Sequence, residues 1–92
     1  MIRSFGDKRT AALFSDRFVH DFQGVARAAK RKLEAINAAS RLEDLMIPPS
    51  NRLEKPKGDR KNFHSIRIND QWRIVFIWRD GDANSVQIVD YH

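Results

Sequence analysis

Residues 72–78, WRIVFIW, constrain the fold more than any other stretch. Side chains alternate across an extended strand. Here both sets are apolar: Trp72, Ile74, Phe76 and Trp78 on one side, Val75 and Ile77 on the other. Such a strand needs cover on both faces, so it reads as the centre of a sheet. Asn69-Asp70 before it and Asp80-Gly81 after it are turn signals. Phe63–Ile68, Gln71–Arg79 and Asn84–Tyr91 therefore read as three strands of an antiparallel meander.

The cover comes from the first half of the chain. Met1–Phe5 reads as a short starting strand. Asp7 is placed to cap a helix over Lys8–Ser15, its carboxylate accepting the unpaired N–H groups of the first turn, with Ala11, Ala12, Leu13 and Phe14 as the buried side. Arg17–His20 reads as a connection. Asp21–Ala39 is the clearest helix: Phe22, Val25, Ala29, Leu33 and Ile36 recur at spacings of three and four and form one apolar stripe. Arg27, Lys30, Arg31 and Glu34 lie opposite, as a solvated surface or an RNA contact. Ser40-Arg41-Leu42-Glu43 matches a capping box for a short helix, which Pro48 and Pro49 stop. Helices first and a meander last give an α+β fold, one domain over residues 1–92.

The charge balance is basic, 17 Lys and Arg against 12 Asp and Glu, a net +5. A positive field draws phosphate backbones and acidic partners. The basic residues crowd in Asn51–Lys61, where Arg52, Lys55, Lys57, Arg60 and Lys61 flank a turn shaped by Pro56 and Gly58, with extended residues expected at Arg52–Glu54. With no cysteine there is no disulfide framework and no Cys-based metal site. No apolar run approaches the roughly 20 residues that cross a bilayer. The amino-terminal MIRSFGDKRT lacks the apolar core of a signal peptide. A cytoplasmic protein is the expectation.

Pairing arithmetic then predicts what shares a face. Arg73 alternates with Val75, Ile77 and Arg79. A two- or four-residue loop around Asp80-Gly81 puts Val86, Ile88 and Asp90 on that same face, and the four-residue loop sets Arg73 directly across from Asp90. For the first hairpin a three-residue loop, Asn69–Gln71, matches Ile66 with Ile74 and Ile68 with Trp72. It also sets Arg67 beside Arg73, two cations that need an anion between them, which Asp90 or a bound phosphate supplies.

Asp90-Tyr91-His92 puts a carboxylate, a phenol and an imidazole at the end of the last strand, which reads as the edge of an active site. The chain has no GxGxxG, Walker, HExxH or GxSxG motif. His20, His64 and His92 are spaced too widely to indicate a metal site. RNA is cut without a metal when a base takes the 2′-OH proton, an acid protonates the leaving 5′ oxygen and cations hold the phosphate charge. Glu54, His92 and Arg73 supply one of each kind, and arginine binds phosphate oxygens bidentately.

The whole chain resembles the HigB branch of the RelE/ParE toxin superfamily. MIRSF, the L-x-x-x-K-G-D-R loop, the S-I-R-x-N-x-x-W-R-I-x-F strand pair and the terminal D-Y-H carry the resemblance. It implies a small twisted, mainly antiparallel sheet packed against N-terminal helices, the RelE-like microbial RNase fold. It implies ribosome-dependent, metal-independent cleavage of mRNA in the ribosomal A site, with no cofactor. The implied partners are the 70S ribosome, its mRNA and a helix-turn-helix, HigA-like antitoxin, with operator DNA reached only through that antitoxin and no membrane. By position, Arg73 is to stabilise the scissile phosphate. Asp90, Tyr91 and His92 match the terminal catalytic cluster, with His92 as acid, Tyr91 orienting or stacking on a base and Asp90 positioning its neighbours. Lys57 matches a loop lysine on RNA, and Lys55, Arg60 and Arg67 join it as phosphate-binding groups. Position 54 departs from the pattern: HigB members can carry His there, and this chain has Glu54, a base that other RelE-type nucleases use.

Two other classes compete. ParE-like relatives share the fold, lack the catalytic residues and act on DNA gyrase. A basic ribosome- or RNA-binding module would bind without cutting. Arg73 and the DYH end argue for the nuclease.

Overall fold

The computed structural model describes residues 1–55 and 62–90. Two helices, α1 (Lys8–Phe14) and α2 (Ala26–Ala38), precede a three-stranded antiparallel sheet of β1 (Phe63–Arg67), β2 (Trp72–Arg79) and β3 (Asp82–Asp90), in the order β1-β2-β3. Short 3₁₀ turns at His20–Phe22, Leu42–Met46 and Pro49–Asn51 join the layers. The WRIVFIW strand is central, as its two apolar faces require.

One face of the sheet builds the core with the helices. Ile66, Ile74, Phe76, Ala83, Val86 and Ile88 pack in one cluster with Phe22, Ala29, Leu33, Ile36 and Leu45. Burying a side chain of this size contributes about 1.5–3 kcal/mol. Trp72 and Trp78 pack against the cluster, Trp72 meeting the Phe22 ring edge-on at 5.5 Å. Val75 is equally buried but sits on the opposite face, outside that cluster.

Asp7 caps α1 as its position requires, accepting from the Thr10 N–H at 2.7 Å. Leu13 is buried as expected, Ala11, Ala12 and Phe14 only partly, and Thr10 joins it inside. The hydroxyl of Thr10 accepts the Ile88 N–H at 3.0 Å. α2 begins at Ala26, five residues later than its stripe indicates. Phe22 is still fully buried, but from a 3₁₀ turn. Gly24 lies between, and glycine costs about 1 kcal/mol relative to alanine inside a helix. The capping-box reading also needs correction. Asp44, not Glu43, reaches back, accepting from the N–H groups of Ser40 and Arg41 at 3.0 and 3.1 Å. Those bonds hold its carboxyl below the usual carboxylate range.

The expected starting strand is a parallel edging on β3, with Ile2 bridged to Ala83 and Phe5 to Val86. The Ala83 N–H donates to Met1 O at 2.9 Å and the Val86 N–H to Ser4 O at 3.1 Å. On the other side of the sheet, Glu54 bridges Ser65 of β1 in antiparallel sense. Both outer strands of the meander are thereby partly covered, which blunts edge-to-edge association.

The first hairpin has the register that apolar matching predicts, Ile66 opposite Ile74 and Arg67 opposite Arg73. The second closes with a two-residue loop, Arg79 opposite Asp82, with Asp80 and Gly81 both at positive φ as a type I′ turn demands. Regular alternation does not survive to its end. Ile77 pairs with Asn84, yet Val75 pairs with Gln87. Ser85, at φ 53, is the extra residue of a β-bulge.

Candidate active site

The bulge decides which groups meet. It shifts β3 by one residue, so Val89 stands opposite Arg73 and Asp90 opposite Trp72. The predicted common face for Arg73 and Asp90 is therefore wrong. Val86, Ile88 and Asp90 belong with the helix-covered set, and a single inserted residue is enough to exchange the faces. Asp90 lines a recess of about 580 Å³ with Asp7, Arg9, Asp21 and Trp72, and its carboxylate accepts from Gln71 Nε2 at 3.1 Å.

On the opposite face stand Ser65, Arg67, Arg73 and Val75. Glu54 joins them through its bridge to Ser65, with backbone bonds of 2.9 and 3.1 Å. Its carboxylate Oε1 lies 3.6 Å from the Arg73 guanidinium, and its side chain is 42% exposed against 8% for Arg73. The arginine is held from below. Its Nε donates to Ser65 Oγ at 3.0 Å, and one Nη donates to the carbonyl of Arg52 at 2.7 Å and more weakly to that of Ser65 at 3.4 Å. A guanidinium so oriented has lost most of its rotamer freedom before any anion arrives. Chemically, the arrangement is a solvent-facing carboxylate beside a preorganised cation, able to accept a proton next to a phosphate whose charge the cation offsets.

Arg67, beside Arg73 across the strands, is paired with Asp70. The anion expected between the two arginines is thus not Asp90: Glu54 serves one and Asp70 the other. Lys55 is exposed, and with Leu42, Glu43, Met46, Leu53 and His64 it lines an apolar recess of about 290 Å³ on the far side of the Glu54 segment. Burial first, and the Lys55 charge second, push the His64 imidazole below its usual 6.5. Among the described residues its Nδ1 has no hydrogen-bond partner. Lys57, Arg60, Tyr91 and His92 lie outside the described residues. No three acidic or histidine side chains among the described residues converge as a metal site.

Ser65, Asp70 and the Arg52 carbonyl escaped the sequence reading. A signal for Ser65 existed. Once Ile66 is matched with Ile74, Ser65 falls diagonal to Arg73 on one face, within reach of a long side chain.

Helices on one face of a small antiparallel sheet are a fold shared with solved structures. The YoeB–YefM complex from Staphylococcus aureus matches at a TM-score of 0.61 and 17% identity, over 100% of this chain and 98% of the matched one. A YafQ mutant from E. coli matches at 0.62 and 10% identity, over 98% and 93%. The family model for the RelE-like toxin of the type II toxin–antitoxin system HigB covers residues 3–92, so the chain belongs to the HigB-like toxin family. It is 40% identical to Toxin HigB-1 of Vibrio cholerae serotype O1 over 85 residues, 90% of each protein. It is 35% identical to Endoribonuclease HigB of Proteus vulgaris along the full length of both.

Proposed function

We propose that this toxin is a ribosome-dependent endoribonuclease that stops translation by cutting mRNA in the ribosomal A site. The Glu54 carboxylate, 3.6 Å from the Arg73 guanidinium on the helix-free face, is the observation that carries the reading. Membership of the family and the name of the Proteus vulgaris relative support it.

Glu54 takes the proton of a ribose 2′-OH. The 2′ oxygen bonds to the adjacent phosphorus, the bond to the 5′ oxygen breaks, and a 2′,3′-cyclic phosphate remains. Arg73 offsets the charge that gathers on the phosphate oxygens, and His92 protonates the leaving 5′ oxygen. Base, acid and cation are all side chains, so no step is routed through a metal or a cofactor. Asp90, on the other side of the sheet from Arg73, acts by positioning Tyr91 and His92, and Tyr91 orients the substrate or stacks on a base. Lys55, Lys57, Arg60 and Arg67 bind RNA phosphates. The neutralising partner is a helix-turn-helix antitoxin through which operator DNA is reached, and the site of action is the cytoplasm, on the 70S ribosome.

Primer extension on cellular mRNA after induction tests the reading. Cuts within translated frames, lost in His92→Ala, are the expected result. DNA damage with intact mRNA would instead assign the protein to the gyrase-directed toxins. Growth arrest without either lesion would leave a module that binds and does not cut.

A further inference from the structure

We infer that Ser65 is a positioning residue for the phosphate-binding arginine, a role that rests on the nuclease reading above. Its hydroxyl accepts from Arg73 Nε at 3.0 Å, and both residues are buried, 7% and 6% exposed. The same serine pairs by its backbone with Glu54, through bonds of 2.9 and 3.1 Å. One residue therefore touches both halves of the carboxylate–guanidinium pair. It fixes the arginine through its side chain and the backbone of Glu54 through its main chain.

The geometry leaves the hydroxyl a specific task. A guanidinium offers five N–H donors in a rigid plane. Among the described residues, its Nε donates to Ser65 Oγ and one Nη to the Arg52 carbonyl. One anchor lies on β1 and the other at the end of the Pro49–Asn51 turn, and together they fix the plane of the group. Arg52 takes a left-handed backbone, φ 46, and in it presents its carbonyl to the Arg73 Nη. The backbone anchor survives most substitutions, so the serine hydroxyl is the anchor that a side-chain change removes. Without it the Nε edge of the guanidinium loses its side-chain anchor, and its alignment with a phosphate beside Glu54 is degraded. Misplacement of about 1 Å in a positioned group is enough to slow a reaction by about 100-fold.

Three variants separate the hydroxyl from its bulk. Ser65→Ala deletes the oxygen. Ser65→Thr keeps it and adds a methyl, and Ser65→Val adds the same volume without it. Cleavage of mRNA on programmed ribosomes is measured for each, with the thermal midpoint as a control for folding. In Ala and Val we expect kcat to fall about 10- to 100-fold with KM within about twofold, and Thr to stay within about threefold of the parent. Wild-type kcat in Ala and Val, or a Thr variant as slow as Val, would overturn the role. The second readout needs no activity: the Arg73 Nε–H resonance should exchange slowly with water in the parent and in Thr, and rapidly in Ala and Val. If the unmodified protein cuts no mRNA, the nuclease reading fails, and the exchange measurement still decides whether Ser65 fixes the arginine. Equal exchange in all four proteins overturns the positioning itself.

Discussion

The two faces of this sheet are made by the same three strands and held by different forces. Toward the helices lie Ile66, Ile74, Phe76, Val86 and Ile88, each no more than 1% exposed. They are held by apolar burial, which is non-directional and indifferent to side-chain chemistry so long as the volume is filled. Away from the helices lie Ser65, Arg73 and Glu54, held by hydrogen bonds and charge. Those forces depend on angle and atom type, and they weaken sharply when a partner is lost. The helix-covered face sets how stable the domain is. The polar face sets what it can do. Stability and chemistry are thus separable by substitution to a degree that a mixed core would not permit.

The largest test of that separation is Phe22→Ala. It removes a fully buried ring that meets Trp72 edge-on, and we expect a loss of about 3–5 kcal/mol in urea unfolding. The fraction still folded should keep its cleavage rate. A slowed rate in that folded fraction would show the two faces to be coupled. Next in size is Arg73→Ala, which strips the phosphate-binding cation and leaves the Ser65 hydroxyl and the Arg52 carbonyl without their donor. We expect cleavage to drop about 100- to 1,000-fold and stability by about 1–3 kcal/mol. Arg73→Lys should restore part of the stability and little of the rate, because an ammonium cannot reproduce the fork. Equal recovery of both would mean that only charge matters on the polar face.

The smallest effect belongs to His64, which lies on the helix-covered side, stacked on Phe76 at 6.1 Å. Its imidazole is held below 6.5 by burial and then by Lys55. The unfolded chain therefore binds a proton more readily than the folded one. The stability it contributes is complete above 6.5 and is lost as pH falls below that value toward the lowered folded one. Urea midpoints measured from about pH 7.5 down to about pH 5.5 should decline, and His64→Gln should flatten that part of the decline. An identical slope in the variant would place the titration elsewhere.

How much of this was legible beforehand differs between the same two faces. The central strand, the Asp7 cap and the first hairpin's register all follow from local signals: double-sided apolarity, a capping side chain, and the matching of Ile66 with Ile74. The length of α2 was overread because an apolar stripe records burial rather than backbone, and Phe22 is buried from a 3₁₀ turn. The polar face is harder to read. Glu54 is legible as a candidate base from its chemistry, but its contact with Arg73 depends on a bridge between residues 54 and 65 that no periodicity reports. The placement of Asp90 failed for one local reason: Ser85 adopts a positive φ that serine rarely takes, and nothing in NSVQI announces it.

That serine has a wider consequence. Ala83, Val86 and Ile88 are all buried against the helices, a set of positions that strict two-residue alternation forbids. The bulge works as a phase correction, letting a turn-proximal half and a terminal half of β3 each present their apolar members inward. Deleting Ser85 would leave Ala83, Val86 and Ile88 at strict two-residue spacing with the same cross-strand partners, so the strand would stay in phase without the bulge. This point of the strand can therefore lose a residue, whereas one more would turn half of it outward unless it bulged in turn.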